Sequence, residues 1–420
     1  MSEIEIRLSL KLDENNVQCK IKDMNIKRIE TPAYIIRKNI LEESIVSFII
    51  ALNNYFPQYI LSYSLKTNSL PYVLKMINYY KGYAEVVSHD EYELAKISGF
   101  TIENIVYNGP LKSKETFLEA VQNGSIVNIE TQSEIEWLKD LPQDISYSIG
   151  IRINIDLGIM SQEDAKDNED YSRFGFSVEN GEFEIALLKI AELDYVKLKG
   201  LHVHRTTLTR SIDIYEKIGE YVGYISNKYS LSLSYVDMGG GFYGIMDNKP
   251  TFQDYCKAIK KGLEKNLNLN KLTIIVEPGS AIVASAIDFI SSVIDVKKIR
   301  NFYVITTDGS RNDLDPFYRK KNYFYEIISN NECIEKVPLQ IVSGGTCLEN
   351  DKMFEINDNN ILNVGDKILY KKVGAYTMTL SPLFIRFFPD IYIEESSKYS
   401  LIRKKWSASD FFDIFDTVKT

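Results

Sequence analysis

Eight times between about residue 58 and residue 277 the chain passes through a short run of β-branched and aromatic residues. Most of these runs give way to a longer stretch whose apolar residues recur three and four apart. Strands that alternate with helices in this way return to their sheet in parallel, so the pattern reads as repeated βα units. The runs are YILSYSL near 59, YAEVVS near 83, NIVY near 104, SIVNIE near 125, SIGIRINI near 148, VKLKGLHVH near 196, SYVDMGG near 234 and LTIIVEP near 272. Helical partners include LPYVLKMINYY, DEYELAKISGF, SKETFLEAVQNG, FEIALLKIAEL, SIDIYEKIGEYVGYISNKY and TFQDYCKAIKKGLEKNL. Eight strands can close into a TIM-like (β/α)8 barrel. A doubly wound open sheet, the main rival, uses fewer repeats, and the chain has no GxGxxG at a first βα turn.

After about residue 283 the period changes to strand-like alternation in AIDFISSVIDVKKI, NFYVITT, PLQIVSG, DKILYKKV and YSLIRKKW. These runs suggest a mainly antiparallel β domain, which the N-terminal runs EIEIRLSLKL and PAYIIRK are expected to join. The expected division is residues 1–38 as strands of the β domain, 39–283 as the barrel and 284–420 as the rest of the β domain. Residues 1–15 and the DNEDY stretch read as dispensable. The 420 residues can bury a large core, and 49 Lys plus Arg against 58 Asp plus Glu, a net charge of -9, leaves no basic footprint for nucleic acid. No run approaches the roughly 20 apolar residues of a membrane span, and the first residues lack the apolar heart of a signal peptide, so a cytoplasmic location is expected. Cys19, Cys256, Cys333 and Cys347 lie far apart, with neither metal-ligand spacing nor a disulfide framework. No metal site is expected.

Barrels gather chemistry at the C-terminal ends of their strands. The first strand ends in Lys66, whose pKa desolvation at the mouth would lower, freeing a neutral amine as nucleophile. The sixth ends in HVH, expected to send His202 and His204 to opposite sides so that one faces the mouth, where a flat imidazole suits stacking on an aromatic cofactor. The seventh runs into Gly239, Gly240 and Gly241, whose backbone N–H groups can approach an anion. The eighth ends in VEPG, placing Glu277 where a carboxylate can keep a pyridinium nitrogen protonated. Singly, each has an ordinary structural explanation: a snorkelling lysine, a core histidine, a tight turn, a solvated carboxylate. In chain order at successive mouth positions they supply the nucleophile, ring stack, phosphate cradle and pyridinium partner of one cofactor.

These residues, with YSLKTN around Lys66, EVVSHDE around Ser88 and Glu91, SRFGF around Arg173, GLHVHRTT, DMGGGF, VEPG, TDGSRNDL around Asp308, GGTCLEND around Cys347 and GAYT around Tyr376, make the chain resemble the fold-type III pyridoxal-phosphate decarboxylases. That family includes diaminopimelate, ornithine and biosynthetic arginine decarboxylases, and the resemblance runs from about Pro32 to about Phe412. It implies that pyridoxal 5'-phosphate is the cofactor, that Lys66 carries it in Schiff-base linkage, that His204 stacks on its ring and that Glu277 holds its pyridine nitrogen. Thr207, Gly240, Gly241 and Tyr376 are implied to hold the phosphate. Cys347 is implied to reach a partner subunit's site and reprotonate the product, making the protein a homodimer with shared active sites, and Asp351 matches a carboxylate of the same loop.

The chain also departs from the pattern. Ser280 stands where EPGR has its arginine, NDL continues with Asp315 rather than Arg-Pro, Leu348 replaces an acidic residue after the cysteine, and Phe384, Ile385 and Arg386 replace FNG. In the HVH motif Arg205 precedes Thr206 and Thr207 in place of Gly-Ser. Groups that would grip the far end of diaminopimelate are thereby removed, and a buried charge left unpaired costs several kcal/mol. A specialised decarboxylase of an amino acid or amino-acid conjugate is expected, of the kind siderophore, antibiotic or modified-peptide biosynthesis needs. Arg173, Arg205, Arg311, Arg386 and Asp351 are the candidates for substrate contact. The alternatives are a racemase or epimerase on the same barrel, a housekeeping diaminopimelate decarboxylase and a catalytically silent regulatory relative.

Overall fold

The computed structural model describes residues 26–161, 163–164, 172–205, 207–329 and 335–415. The run EIEIRLSLKL, the DNEDY stretch, Thr206, Cys19 and Cys333 lie outside the described residues. Strand β1 (Ala33–Arg37) leads into an 18-residue helix, Lys38–Tyr55, whose buried Leu41, Ile45, Phe48 and Leu52 fall on one face. The alternation proper then begins with β2 (Tyr59–Ser64), β3 (Tyr83–Ser88), β4 (Ile105–Leu111), β5 (Ile126–Ile129) and β6 (Tyr147–Asn154). A two-residue β7 (Phe176–Ser177) pairs beside β6, and β8 (Val196–His202), β9 (Tyr235–Asp237) and β10 (Thr273–Val276) follow. Eight of these strands, all but β1 and β7, pair in parallel around a ring. It closes where β5 meets β6 (Asn128 opposite Gly150) and where β10 meets β2 (Ile274 opposite Tyr59). The sequence's eight runs are these eight strands.

The helices begin where the sequence supplies caps. Ser88, Ser113, Thr131, Ser211 and Thr251 each accept a hydrogen bond from a backbone N–H of the first turn, which holds the turns between strand and helix in place at the barrel mouth. Among the described residues, no helix is long and apolar enough to cross a membrane.

An aromatic ring occupies part of the barrel's interior, packed with Val106 and Ile275. Tyr235 on β9 lies against Gly150 on β6 and Gly200 on β8, and a Cβ at either glycine would run into its ring or hydroxyl. The Tyr235 hydroxyl donates to Asn128 Oδ1 at 2.9 Å, which satisfies its polar end.

The remaining strands are β11 (Ile287–Ile299), β12 (Phe302–Thr307), β13 (Phe324–Ile328), β14 (Lys336–Ser343), β15 (Lys352–Asn360), β16 (Lys367–Lys371), β17 (Asp390–Glu395) and β18 (Lys398–Arg403). With β1 they form a second sheet, organised around the long β11, which pairs antiparallel with β1, β12 and β16. The β1–β17 and β12–β14 pairings are parallel; the others are antiparallel. PAYIIRK therefore joins this sheet as β1. A single hydrophobic cluster runs from Phe48 and Tyr63 in the barrel to Phe289 and Tyr370 in the second sheet.

Gly200→Ala is expected to destabilise the protein by about 1–3 kcal/mol, because the new methyl must displace a packed ring. Chemical denaturation measures this. Adding Tyr235→Leu should recover part of the loss, whereas an unchanged midpoint for Gly200→Ala would contradict the packing described.

Candidate active site at the barrel mouth

A cavity of about 780 Å³ opens at the C-terminal ends of the strands, and its wall includes Lys66, Glu85, Asn108, Arg152, Arg173, His202, His204, Arg205, Glu277 and Tyr376. β2 ends at Ser64, and a single 3-10 turn, Leu65–Thr67, buries Leu65 and Thr67 while the Lys66 side chain enters the cavity. Its Nζ donates to Glu85 Oε2 at 2.7 Å, and Glu85 is almost wholly buried, at 1% exposure. Burial disfavours the Lys66 ammonium, but Glu85 and Glu277 together outweigh it and the pKa is raised. The expected neutral amine is thus overturned: two carboxylates hold Lys66 as an ammonium.

Below the lysine a ladder of polar side chains crosses the barrel. Asn108 donates to Glu85 Oε1 at 3.3 Å and makes a short hydrogen bond to Glu277 Oε1. Asn128 donates to Asn108 Oδ1 at 2.8 Å and to Asp237 Oδ2 at 3.3 Å, and accepts from Tyr235. Glu277 and Asp237 form a closely coupled pair. Burial works against the charge of both. Beside His202 and Lys66, Glu277 has its pKa well lowered, while Asp237, buried and next to that negative charge, has its own pushed up. His202, Asp237 and Glu277 bring donor atoms within 4.8 Å of one another, a grouping that can also hold a cation.

Both histidines of HVH line the cavity, contrary to the expectation of opposite sides: residues two apart along an extended strand share a face. His202 Nε2 lies 3.6 Å from Glu277 Oε2. His204 Nδ1 accepts the Gly240 N–H at 3.2 Å, and burial, with Arg152 adding to it, lowers its pKa to about 3, so its imidazole is neutral. Gly239 and Gly241 adopt φ of 64° and 93°, and a Cβ at Gly240 would strike the Glu277 carbonyl. Thr207 Oγ1 is buried and has no hydrogen-bond partner among the described residues.

Tyr376, at φ 55°, is joined to the lysine turn through its N–H, which donates to the Thr67 carbonyl at 2.9 Å. Arg173 and Arg205 line the cavity. Ser280 starts a short helix, Ser280–Val283, and is not part of the cavity wall. Arg311 also lies away from the wall, paired with Asp315 at 3.1 Å and donating to the Lys320 carbonyl. Arg386 pairs with Asp313 and donates to the Asp308 carbonyl. Asp351 is buried and accepts from the Arg311 N–H and from Thr346, which shapes the turn bearing an exposed Cys347 outside its own chain's cavity. Glu85, Asn128, Asp237 and the Arg152–Glu130 pair at 2.7 Å occur in the strand runs without a role assigned from sequence, and Asn108 lies outside those runs. The signal available was a polar residue inside a strand buried on both faces.

Residues 42–284 match the pyridoxal-binding domain of the pyridoxal-dependent decarboxylases. The diaminopimelate decarboxylase of Aquifex aeolicus is 26% identical over 389 residues, 89% of each chain. The L-glutamyl-[BtrI acyl-carrier protein] decarboxylase of Niallia circulans is 25% identical over 413 residues, covering 91% of this chain and 93% of its own. The solved diaminopimelate decarboxylase of Methanocaldococcus jannaschii superposes with a TM-score of 0.80 at 22% identity, over 96% of this chain and 98% of that one, and shares the fold.

The depressed pKa of His204 has a stability consequence. Unfolded, the imidazole binds a proton below about pH 6.5; folded, it does not until about pH 3, so its contribution is present above 6.5 and is lost as the pH falls. His204→Phe is expected to flatten the decline in unfolding free energy between pH 6.5 and 4.5, measured by urea titration. An unaltered decline would contradict a neutral buried imidazole.

Proposed function

Because the chain belongs to the pyridoxal-dependent decarboxylase family, we propose that it removes the α-carboxylate of a modified or conjugated amino acid in a specialised biosynthetic pathway. The mouth residues fit the family's cofactor. Thr207 Oγ1 is a buried hydroxyl with no hydrogen-bond partner among the described residues, and the Gly239–Gly241 turn, whose Gly240 N–H reaches His204, admits no Cβ at Gly240. Lys66 would carry the cofactor, Glu277 would hold a proton at its pyridine nitrogen, His204 would lie against its ring, and Thr207, Gly240, Gly241 and Tyr376 would hold its phosphate. Bound there, pyridoxal phosphate supplies a sink for the electron pair left by departing carbon dioxide.

The chain's own residues do the rest. Asn108 fixes the Glu277 carboxylate, and Asp237 beside it, whose pKa that charge and burial push up, would let Glu277 carry the negative charge that faces a pyridinium. His204, neutral and anchored by Gly240, adds no competing positive charge near that nitrogen. Cys347 of the partner subunit would return the proton to the α-carbon. Its exposure on a turn shaped by Asp351 supports a site shared within a homodimer.

The observation that supports the specialised substrate is the chain's departure from the family pattern at Ser280 and Arg311. Ser280 replaces a cation expected from the family pattern, and Arg311 is spent on Asp315. A relative whose printed substrate is an amino acid on a carrier protein supports a conjugated one here. A housekeeping diaminopimelate decarboxylase is the second reading, supported by the names of most similar relatives.

Carbon dioxide release from meso-diaminopimelate, L-ornithine, L-lysine and L-arginine by the cofactor-loaded protein is the test. Slow turnover of all four is expected, and efficient turnover of any one overturns the specialised reading. Racemisation without carbon dioxide release would favour the racemase. Mixing inactive Lys66→Ala and Cys347→Ala proteins should restore activity toward about a quarter of wild type if sites are shared between subunits; no recovery would place the whole site within one chain.

A further inference from the structure

We infer that the far end of the substrate is an anion, a carboxylate or a phosphorylated group, which Arg173 and Arg205 receive at the outer wall of the cavity. This rests on the decarboxylase reading and names the substrate class of that same site. Among the described residues, Glu85 and Glu277 are the carboxylates lining the cavity, and both are buried at its floor. Glu85 is engaged by Lys66 and Asn108, and Glu277 by Asn108 with His202 at 3.6 Å. Neither is placed to meet a cation at the far end of a substrate whose amine end lies at Lys66.

The cationic side chains divide differently. Arg152 donates from Nη1 to Glu130 and from Nη2 to the His204 carbonyl, so it is built into the wall. Arg173 is exposed, with its guanidinium carbon 4.2 Å from the centre of the Phe174 ring, a cation–π contact that uses none of its N–H donors. Arg205 directly follows His204 and lines the same cavity. An extended substrate pointing away from Lys66 therefore meets guanidinium groups. Planar forks match carboxylates and phosphates in two-point bonds, whereas an ammonium there meets like charge in a partly desolvated setting.

Amines of matched length, which are not decarboxylated, test this by calorimetry on the cofactor-loaded protein: 5-aminopentanoate, 4-aminobutylphosphonate, pentylamine and 1,5-diaminopentane. Binding is expected to be about tenfold tighter for the anionic pair than for pentylamine, and weakest for the diamine. The better of the two anions distinguishes a carboxylate end from a phosphorylated one. In Arg173→Gln/Arg205→Gln the ratio of 5-aminopentanoate to pentylamine affinity, and that of the phosphonate, should fall to near one. Equal affinities throughout, preference for the diamine, or an anion preference that survives the double substitution overturns the inference. Carbon dioxide release from L-2-aminoadipate, L-2-amino-5-phosphonopentanoate, L-norleucine and L-lysine is scored separately. Anion-selective binding without release from any of them would count against decarboxylation while upholding the anion site.

Discussion

An ammonium held 2.7 Å from a buried carboxylate is the constraint on which the barrel mouth depends. Charges cost free energy to remove from water, and a buried pair is tolerated only where the surrounding groups complete its hydrogen bonds. Here that completion extends through Asn108 and Asn128 to Asp237 and Glu277, so six strands, β2 to β5, β9 and β10, must keep register for the lysine to stay satisfied. Replacing such a network with packed hydrophobic residues is often neutral or stabilising. Its presence is thus better explained by chemistry at the amine than by stability.

The second sheet completes the mouth from outside the barrel. Tyr376 and Gly374, which follow β16, bond back to Thr67 and Asn68 beside the lysine, and Thr379 approaches the Lys66 carbonyl. The segment from Asp308 to Asp315 is held by its Ser310–Asp313 capping box, by Arg311 and by Arg386, and it braces the 344–351 turn through Asp351. Arginines that look like substrate ligands in sequence are here structural ties, and the turn they support carries the exposed thiol.

The eight barrel strands are legible because parallel strands buried on both faces must be apolar and β-branched, and their turns begin with Ser or Thr caps. The helix Lys38–Tyr55 carries an equally clear stripe in Leu41, Ile45, Phe48 and Leu52, but it precedes the first βα repeat and is lost to a count that starts at residue 58. Strands β13, β15 and β17 are hard to see: β13 exposes Phe324 and Tyr325, and β15 ends in four exposed polar residues. Lys66, His204, Glu277 and Tyr376 announce themselves through motifs at strand ends. Asn108 and Asn128 do not, and Asp237 opens the DMGGGF motif without showing its role, since a buried asparagine or aspartate acquires meaning only from its neighbours across the barrel. For the same reason the charge state of Lys66 is unreadable from sequence, because Glu85 lies 19 residues away and on another strand.

The central claim is that the Lys66 amine carries pyridoxal phosphate. Borohydride reduction of the cofactor-loaded protein, followed by proteolysis and mass spectrometry of the peptides, tests it most directly. The account predicts a stable phosphopyridoxyl mass on the peptide containing Lys66 and none elsewhere. A label on another lysine, or fully loaded protein that yields no labelled peptide, would contradict it.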